Sequence, residues 1–205
     1  MNISKKIPAI ILAAGASSRM GRPKPLLELE GRSFADIAAG TLAAAGIKDI
    51  YMVLGCRAGE VSSALKSKKL KIIINSDWPK GQLSSLKAAL RKLPLKTRGV
   101  LVCLSDHPRV STETVIRILE GFSSGMGEVI LPSCNGRRGH PVLFSRRVFG
   151  ALLETPDDRG AREVVRSGRF SLGVVEVDDP FIFQDIDTPK EYGEMLKEFN
   201  EKTGD

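Results

Sequence analysis

Three cationic side chains that follow a short apolar run could bind the phosphate groups of a ligand. The apolar run covers residues 7–12 and predicts a buried strand. Small residues come next, followed by Arg19, Arg22 and Lys24. Small side chains let backbone N–H groups approach phosphate oxygens closely, and the cations can neutralise phosphate charge. This stretch therefore predicts a polyphosphate-binding loop at the carboxyl end of the first strand.

A carboxylate follows another predicted strand, where it could hold a metal ion. Asp106 comes after the apolar residues 100–104, which predict the fourth strand. In an open parallel sheet, ligands bind beyond the carboxyl ends of the strands, so Asp106 and the cationic loop are expected at the same edge. A divalent cation would remove the repulsion between this carboxylate and a triphosphate, and Mg²⁺ takes one or two carboxylates plus phosphate oxygens. The alternative is that Asp106 only shapes the turn before Pro108.

Two further acids, Asp185 and Asp187, precede a helix-start signal. Thr188 is a capping residue, Pro189 fits the first helical position, and Glu191 stands three residues after the cap. Because Thr188 fills the capping role, both acids are free to bind something else. At positions i and i+2 of an extended segment, their side chains are expected on the same face.

The order of the predicted elements indicates an α/β fold with one domain. Apolar runs predict strands at residues 7–12, 50–54, 72–74, 100–104, 129–131, 141–144 and 172–177. Helical patterns cover residues 34–45, 60–65, 84–93, 111–122, 148–153, 161–167 and 189–199. The first four strand–helix repeats predict a mostly parallel sheet flanked by helices on both faces.

Composition favours a soluble globular protein with small acidic ligands. Apolar residues make up 42% and charged residues 27% of the 205 residues, and the formal net charge is +7. Aromatic residues make up only 5% and no long Lys/Arg block is present, which argues against nucleic acid as a partner. No segment is long and apolar enough to span a membrane. Residues 5–16 imitate a secretory signal, but Pro8 interrupts the apolar run, and we interpret the run as a strand.

The cysteine pattern favours a cytoplasmic location and argues against a zinc site. Cys56, Cys103 and Cys134 are scattered without a C-x-x-C pair and are expected to be buried or inert thiols in a reducing cytosol. A zinc site needs closely spaced ligands, and the chain has only two histidines.

Other phosphate-binding and hydrolase motifs do not match. Gly21 is followed by Arg22-Pro23 in place of the lysine and hydroxyl residue of a Walker loop. The glycine pattern of dinucleotide-binding folds is missing, and no G-x-S-x-G nucleophile is present. The predicted loop is therefore a phosphate-binding loop of another kind.

Four polar or aromatic residues have two interpretations each, and His140 has one. His107 either hydrogen-bonds within its loop or contacts a ligand, and His140 borders the side where an acceptor is expected. Trp78 is either a packing anchor or a stacking platform. Ser84 and Ser85 begin a predicted helix and are either caps or hydrogen-bond donors to an anion.

The first loop closely resembles the signature loop of the MobA-like nucleotidyltransferases. The residues that carry the resemblance are Leu12, Ala13, Ala14, Gly15, Ser17, Arg19, Met20, Gly21 and Lys24. Further matches are Gly81-Gln82 with Ser84-Ser85-Leu86, Asp106-His107-Pro108, Gly139-His140-Pro141 and Asp185-Ile186-Asp187-Thr188-Pro189. These matches span nearly the whole chain in the family's order and look most like the molybdenum cofactor cytidylyltransferase branch.

The resemblance implies a Rossmann-like nucleotidyltransferase fold, a nucleoside triphosphate donor, Mg²⁺ and a phosphorylated acceptor. The implied nucleotide-binding residues are Leu12, Ala13, Ala14, Gly15, Ser17, Arg19, Lys24, Gly81, Ser84, Ser85 and Asp106. Among them, Arg19, Lys24 and Asp106 are expected to be catalytic. The acceptor is expected near Trp78, His107, Gly139 and His140, and the metal at Asp106 and Asp185. Asp185 is preferred to Asp187 because of its distance from the helix start. Within one domain over residues 1–205, the nucleotide-binding part covers about 1–125 and the acceptor-binding and closing part about 126–205.

Ala14 indicates the donor nucleotide. The branch that transfers guanylyl groups usually carries Leu-Ala-Gly-Gly in the loop, so Ala14 favours CTP. The expected acceptor is the phosphate of molybdopterin, with a molybdenum hydroxylase receiving the product. His107 stands where this branch carries glutamine or methionine. The alternatives are another phosphorylated acceptor, such as a sugar phosphate, and a non-catalytic nucleotide-binding accessory protein for molybdenum enzymes.

Overall fold

Helices and strands alternate along most of the chain. This computed structural model describes residues 7–67 and 70–203. Its strands are β1 (Ala9–Ala13), β2 (Glu28–Leu29), β3 (Arg32–Ser33), β4 (Ile50–Leu54), β5 (Leu70–Ile74), β6 (Gly99–Leu104), β7 (Val129–Cys134), β8 (Arg137–Arg138), β9 (Val142–Ser145) and β10 (Leu172–Glu176). Its helices are α1 (Phe34–Ala44), α2 (Ala58–Ala64), α3 (Gln82–Leu90), α4 (Thr112–Ser123), α5 (Phe149–Glu154), α6 (Ala161–Arg166) and α7 (Pro189–Thr203). Every strand and helix expected from the sequence is present, with ends shifted by a few residues.

The main sheet is mostly parallel, as predicted. Its order is β10-β7-β9-β6-β1-β4-β5, and β8 pairs with β7 at one end. Only β9 runs antiparallel to its neighbours β6 and β7 within this path, because the chain turns back between β7 and β8 and keeps that direction into β9. Strands β1 and β6 are adjacent and parallel, with Leu12 opposite Leu104, so their carboxyl ends lie side by side.

Helices cover both faces of the sheet, again as predicted. The side chains of β1 alternate between two core clusters. Ala9, Ile11 and Ala13 pack in a cluster that includes residues of α1, α2 and α4. Ile10 and Leu12 pack in a second cluster that includes residues of α3, α5 and α6. Strand β1 is thus buried on both of its faces, which explains its continuous apolar sequence.

A third, smaller apolar cluster attaches α7 to the segment that follows the first loop. Its buried members are Met20, Leu27, Leu29, Phe34, Ile186 and Met195. The N–H of Ile186 also donates to the carbonyl of Asp106 at 3.1 Å. These contacts bring the residues before α7 to the carboxyl edge of the sheet.

Capping interactions explain where three helices begin. Ser33 and Ser111 accept hydrogen bonds from the N–H groups three residues later, each at 3.1 Å. Thr188 Oγ1 accepts from the Glu191 N–H at 3.2 Å, and the Glu191 carboxylate accepts from the Thr188 N–H at 2.8 Å. The reciprocal cap predicted for the last helix is confirmed.

Within residues 7–67 and 70–203, no helix has the length and apolar character that crossing a bilayer requires. The three cysteines are free thiols. Burial raises the pKa of Cys103 to about 12, so this thiol stays protonated and unreactive at neutral pH.

Candidate active site

A cavity of about 360 Å³, the loop cavity, opens where β1 and β6 end. The residues that line it are Leu12, Ala13, Ala14, Gly15, Ser17, Ser18, Arg19, Lys24, Pro25, Trp78, Pro79, Gly81, Gln82, Ser85, Ser105, Asp106 and Asp187. The predicted phosphate-binding loop and the predicted carboxylate Asp106 therefore share one cavity, as the pairing of β1 with β6 requires.

Ser17 organises the first loop. Its backbone is in the left-handed region with φ +52°, and its carbonyl accepts the N–H groups of Met20 and Gly21 at 3.0 Å each. Its hydroxyl accepts the backbone N–H of Lys24 at 3.1 Å. These bonds fold the loop back toward its start, so that the Lys24 side chain enters the cavity.

Lys24 lies between two carboxylates. Its ammonium donates to Asp106 Oδ2 at 2.8 Å and also to Asp187 Oδ1. Burial acts to lower the pKa of Lys24, but the hydrogen bonds and charges of Asp106 and Asp187 outweigh it and raise the pKa. The pKa of Asp187 is lowered, chiefly by its hydrogen bond to Lys24. Lys24 and Asp187 are therefore both charged at neutral pH.

Of the other two loop cations, only Arg19 reaches the cavity. Arg19 Nη2 lies 2.5 Å from Asp187 Oδ2, on the solvent side of that carboxylate. Arg22 is exposed and does not line the cavity, and its guanidinium carbon lies 5.4 Å from the ring centroid of Tyr192. The cations available to a bound phosphate at this cavity are thus Arg19 and Lys24.

The structure brings Asp187 into the loop cavity, whereas Asp185, the residue favoured from the sequence, lies outside it. Asp185 is exposed and lines a separate groove beside α7. Residues 184–188 form no strand, so the rule that i and i+2 share a face does not apply there. The Glu191 carboxylate accepts the N–H of Asp187 at 2.9 Å and fixes its backbone. The second carboxylate of the loop cavity is therefore Asp187 and not Asp185.

The two carboxylates suit a magnesium ion that shares phosphate ligands. Among residues 7–67 and 70–203, no group of three or more His, Cys, Asp and Glu side chains could hold a metal ion. Asp106 and Asp187 do converge on one ammonium ion, and Mg²⁺ in nucleotide sites takes one or two carboxylates plus phosphate oxygens. The donor set fits a Mg²⁺ ion whose coordination is completed by a bound nucleotide.

Ser84 and Ser85, adjacent at the start of α3, have different surroundings. Ser84 Oγ donates to the carbonyls of Asp77 and Gly81, at 2.9 and 2.8 Å, and does not line the loop cavity. Ser85 lines the cavity together with Gly81. Ser84 thus fastens the turn before α3, and of the two serines only Ser85 can reach a ligand there.

Trp78, expected near an acceptor, lies in the loop cavity beside the signature loop. A side chain at Gly55 would meet its Cβ at 2.5 Å, so Gly55 permits the close approach of Trp78. Trp78 is partly buried and also packs against the core cluster that contains Leu12 and Ala14. Trp78 is therefore both a packing anchor and a wall of the cavity.

His107 and His140 form a pair outside the loop cavity. Their rings meet edge to face with centroids 5.7 Å apart, and both line a small apolar cavity of about 30 Å³ that also contacts α1. Burial lowers the pKa of both imidazoles, that of His140 to about 4. The Nδ1 atoms of both rings are buried and have no hydrogen-bond partner among the described residues. Both rings are therefore neutral at pH 7, and their predicted contact with an acceptor stays a prediction.

Gly139 is needed for a close backbone approach. A Cβ at this position would lie 2.2 Å from the carbonyl oxygen of Ile182. We predict that Gly139→Ala destabilises the protein by about 1–3 kcal/mol, because the backbone must shift. Chemical denaturation would measure the loss. Gly150→Ala is the control, since a Cβ there meets nothing within 4 Å and alanine favours helix α5. Equal stability of both variants would contradict this role of Gly139.

The buried His140 predicts a loss of stability in mild acid. Its pKa is lowered from 6.5 to about 4 in the folded protein, so between these values the unfolded chain binds the proton more strongly. Stability from this group is complete above its ordinary pKa and falls as pH decreases, by about 2 kcal/mol between pH 7 and pH 5. Urea denaturation at the two pH values would show the drop. His140→Gln should reduce that difference; an unchanged difference would contradict the burial of a neutral His140.

Comparison with known proteins identifies the family. Residues 9–172 match the MobA-like NTP transferase domain. The chain belongs to this family. A nicotine blue oxidoreductase of Paenarthrobacter nicotinovorans is 31% identical over 197 residues, covering 93% of this chain and 96% of the relative. The molybdenum cofactor cytidylyltransferase of Escherichia coli K12 is 30% identical over 194 residues, covering 91% and 93%.

Similar solved structures confirm the Rossmann-like nucleotidyltransferase fold. Rv0371c from Mycobacterium tuberculosis superposes with a TM-score of 0.83 at 28% identity, over 95% of this chain and 99% of that one. A complex of the same mycobacterial protein with manganese superposes with a TM-score of 0.81 at 27% identity, over 94% and 99%. Family membership implies a nucleoside triphosphate as substrate.

Proposed function

We propose that this protein is a Mg²⁺-dependent nucleotidyltransferase that transfers CMP from CTP to the phosphate of molybdopterin and releases pyrophosphate. The observation that carries the proposal is the position of Lys24, bonded to Asp106 and Asp187 in a cavity walled by the signature loop. A cation flanked by two carboxylates at the carboxyl edge of a parallel sheet suits a triphosphate bound with a divalent metal.

Each charged side chain of the loop cavity has a role in this reaction. Arg19 and Lys24 stabilise the negative charge that builds up on the α-phosphate under attack and on the departing pyrophosphate. Asp106 and Asp187 would hold Mg²⁺, which when bound supplies a Lewis acid for the phosphate oxygens. The acceptor phosphate is itself anionic and attacks the α-phosphorus in line, so no protein nucleophile is needed.

The identity of the two substrates rests on separate arguments. CTP is favoured by Ala14, which lines the loop cavity, and by the name of the E. coli relative. Molybdopterin is favoured by that relative alone. The manganese complex of the mycobacterial protein supports a divalent metal in this fold. In this proposal the reaction takes place in the cytoplasm and its product passes to a molybdenum hydroxylase.

Another phosphorylated acceptor is the second candidate, because two further relatives, 31% and 27% identical, carry names that do not mention molybdenum cofactor. The relative from P. nicotinovorans is named a nicotine blue oxidoreductase, and one from Bacillus subtilis, 27% identical over 196 residues, is named a purine catabolism protein. In this alternative, the loop cavity binds the nucleoside triphosphate as described above, and only the acceptor molecule differs.

Thermal unfolding with CTP, GTP, ATP and UTP, each with and without Mg²⁺, tests the nucleotide assignment. A nucleotide present at one hundred times its dissociation constant stabilises the folded state by about 2.7 kcal/mol. We expect the largest stabilisation from CTP with Mg²⁺. Greater stabilisation by GTP would show that the inference from Ala14 is wrong, and no stabilisation by any nucleotide would contradict the proposed function.

A further inference from the structure

A buried asparagine that lines no part of the loop cavity contacts the serine that does. Asn75 follows β5 directly and is 6% exposed, while Ser84 and Ser85 are 5% and 2% exposed. The Asn75 amide nitrogen donates to Ser84 Oγ and to Ser85 Oγ, each at 3.0 Å. The three side chains therefore form one buried polar network behind the wall of the cavity.

The direction of every hydrogen bond in this network follows from the backbone. The Asp77 N–H can only donate, and it donates to Asn75 Oδ1 at 3.1 Å, so the amide oxygen and nitrogen are distinguished. Both hydrogens of the Asn75 amide are then used by the two serine oxygens. The Ser84 hydroxyl donates one hydrogen bond that is shared between the carbonyls of Asp77 and Gly81.

Ser85 is left with one free donor. Its oxygen accepts from Asn75, which forces its hydroxyl proton to point elsewhere. Within residues 7–67 and 70–203, Ser85 Oγ accepts a hydrogen bond and donates none to another residue, although Ser85 is only 2% exposed. Ser85 lines the loop cavity on the wall formed with Trp78 and Gly81. A buried hydroxyl without an acceptor is costly, so a ligand atom that accepts a hydrogen bond there would be favoured.

We infer that Asn75 is a positioning residue that makes Ser85 a hydrogen-bond donor to the nucleobase of the bound nucleotide. The inference rests on the proposed function, since it needs a nucleotide in the loop cavity. The charged side chains Lys24, Asp106 and Asp187 suit the phosphates of the nucleotide. Ser85 is an uncharged residue of the same cavity, and we assign the base to it. The atom recognised is an acceptor, a carbonyl oxygen or an unprotonated ring nitrogen of the base.

Asn75→Asp tests this inference with almost no change of shape. A carboxylate at position 75 can only accept, so the Ser85 proton would turn toward it and away from the ligand. We expect the affinity for CTP to fall about tenfold, the effect of one hydrogen bond, and the affinity for inorganic tripolyphosphate to stay unchanged. Ser85→Ala should have the same effect on CTP. Binding is measured by calorimetry with Mg²⁺, and thermal unfolding verifies that each variant is folded.

The double variant separates positioning from general disruption. In the Ser85→Ala background, Asn75→Asp should cause no further loss of CTP affinity, because the donor that it redirects is already gone. Asn135→Asp is the matched control, since it introduces the same charge at an exposed turn far along the chain. A further loss in the double variant, or an equal loss of tripolyphosphate affinity, would overturn the inference. Failure of the unsubstituted protein to bind CTP more tightly than tripolyphosphate would instead overturn the proposed nucleotide site on which it rests.

Discussion

The Asp106→Asn variant should lose nucleotidyl transfer by about 10²–10³-fold while remaining folded. The amide has the shape of the carboxylate but not the charge that a divalent metal needs. Lys24 keeps its bond to Asp187, and the bond from the Ile186 N–H is to the backbone carbonyl of residue 106, so the local structure should persist. Steady-state pyrophosphate release measures the loss, and the thermal unfolding midpoint verifies the fold.

Two aspartate variants serve as comparison for Asp106→Asn. Asp187→Asn should also lower turnover strongly, because Asp187 is the second carboxylate on Lys24. Asp185→Asn makes the same chemical change on an exposed side chain outside the loop cavity and should stay within about twofold of the unsubstituted protein. A loss of turnover in Asp185→Asn as large as that in Asp106→Asn, together with normal turnover in Asp187→Asn, would show that Asp187 is not the second carboxylate.

The Lys24→Met variant should lower kcat/KM for the nucleotide by about 10²-fold. Methionine fills a similar volume but supplies no charge to the triphosphate. The same change should raise the pKa of Asp187 toward its ordinary value, because the Lys24 hydrogen bond is the main cause of its lowering. Carbon NMR titration of the aspartate carboxyl groups measures this second effect in the ligand-free protein.

Arg22→Met is the control for Lys24→Met. Arg22 belongs to the same loop, but it lies beside Tyr192 and does not line the cavity. Its replacement should leave both kcat/KM and the pKa of Asp187 nearly unchanged. A tenfold or larger effect of Arg22→Met on kcat/KM, with little effect of Lys24→Met, would contradict the role given to Lys24.

The sequence predicts the main sheet and its helices well because the apolar patterns and capping residues of these elements extend over several consecutive residues. Five-residue apolar strands such as β4 and capped helices such as α7 repeat their pattern often enough to be recognised. Strands β2, β3 and β8 were missed because two residues have no periodicity. Their pairing depends on neighbours that a local pattern does not contain.

Some residues of the candidate site could likewise be predicted from the sequence, and others could not. Lys24 and Asp106 could be predicted because each follows a strand whose end lies at a known edge of the sheet. The choice between Asp185 and Asp187 could not, since it depends on the irregular path of residues 184–188 and on the bond from the Asp187 N–H to Glu191. The apolar Ile186 between them is the one local signal, because its burial fixes the orientation of the segment.

The polar network at α3 shows a further limit of local patterns. Two adjacent serines at a helix start look equivalent in the sequence, but the orientation of α3 on the sheet turns only Ser85 toward the cavity. Asn75 was missed altogether, because its role depends on bonds to residues two, nine and ten positions away. A polar residue directly after a buried strand at the functional edge is the signal that could have drawn attention to it.

Pyrophosphate release from CTP, measured with and without molybdopterin and with and without Mg²⁺, tests the central claim most directly. We predict release only when CTP, molybdopterin and Mg²⁺ are all present, together with a product that contains the CMP group. Release with a different phosphorylated acceptor and none with molybdopterin would contradict the acceptor assignment. CTP binding without pyrophosphate release for any acceptor would contradict catalysis itself and would leave a nucleotide-binding accessory protein.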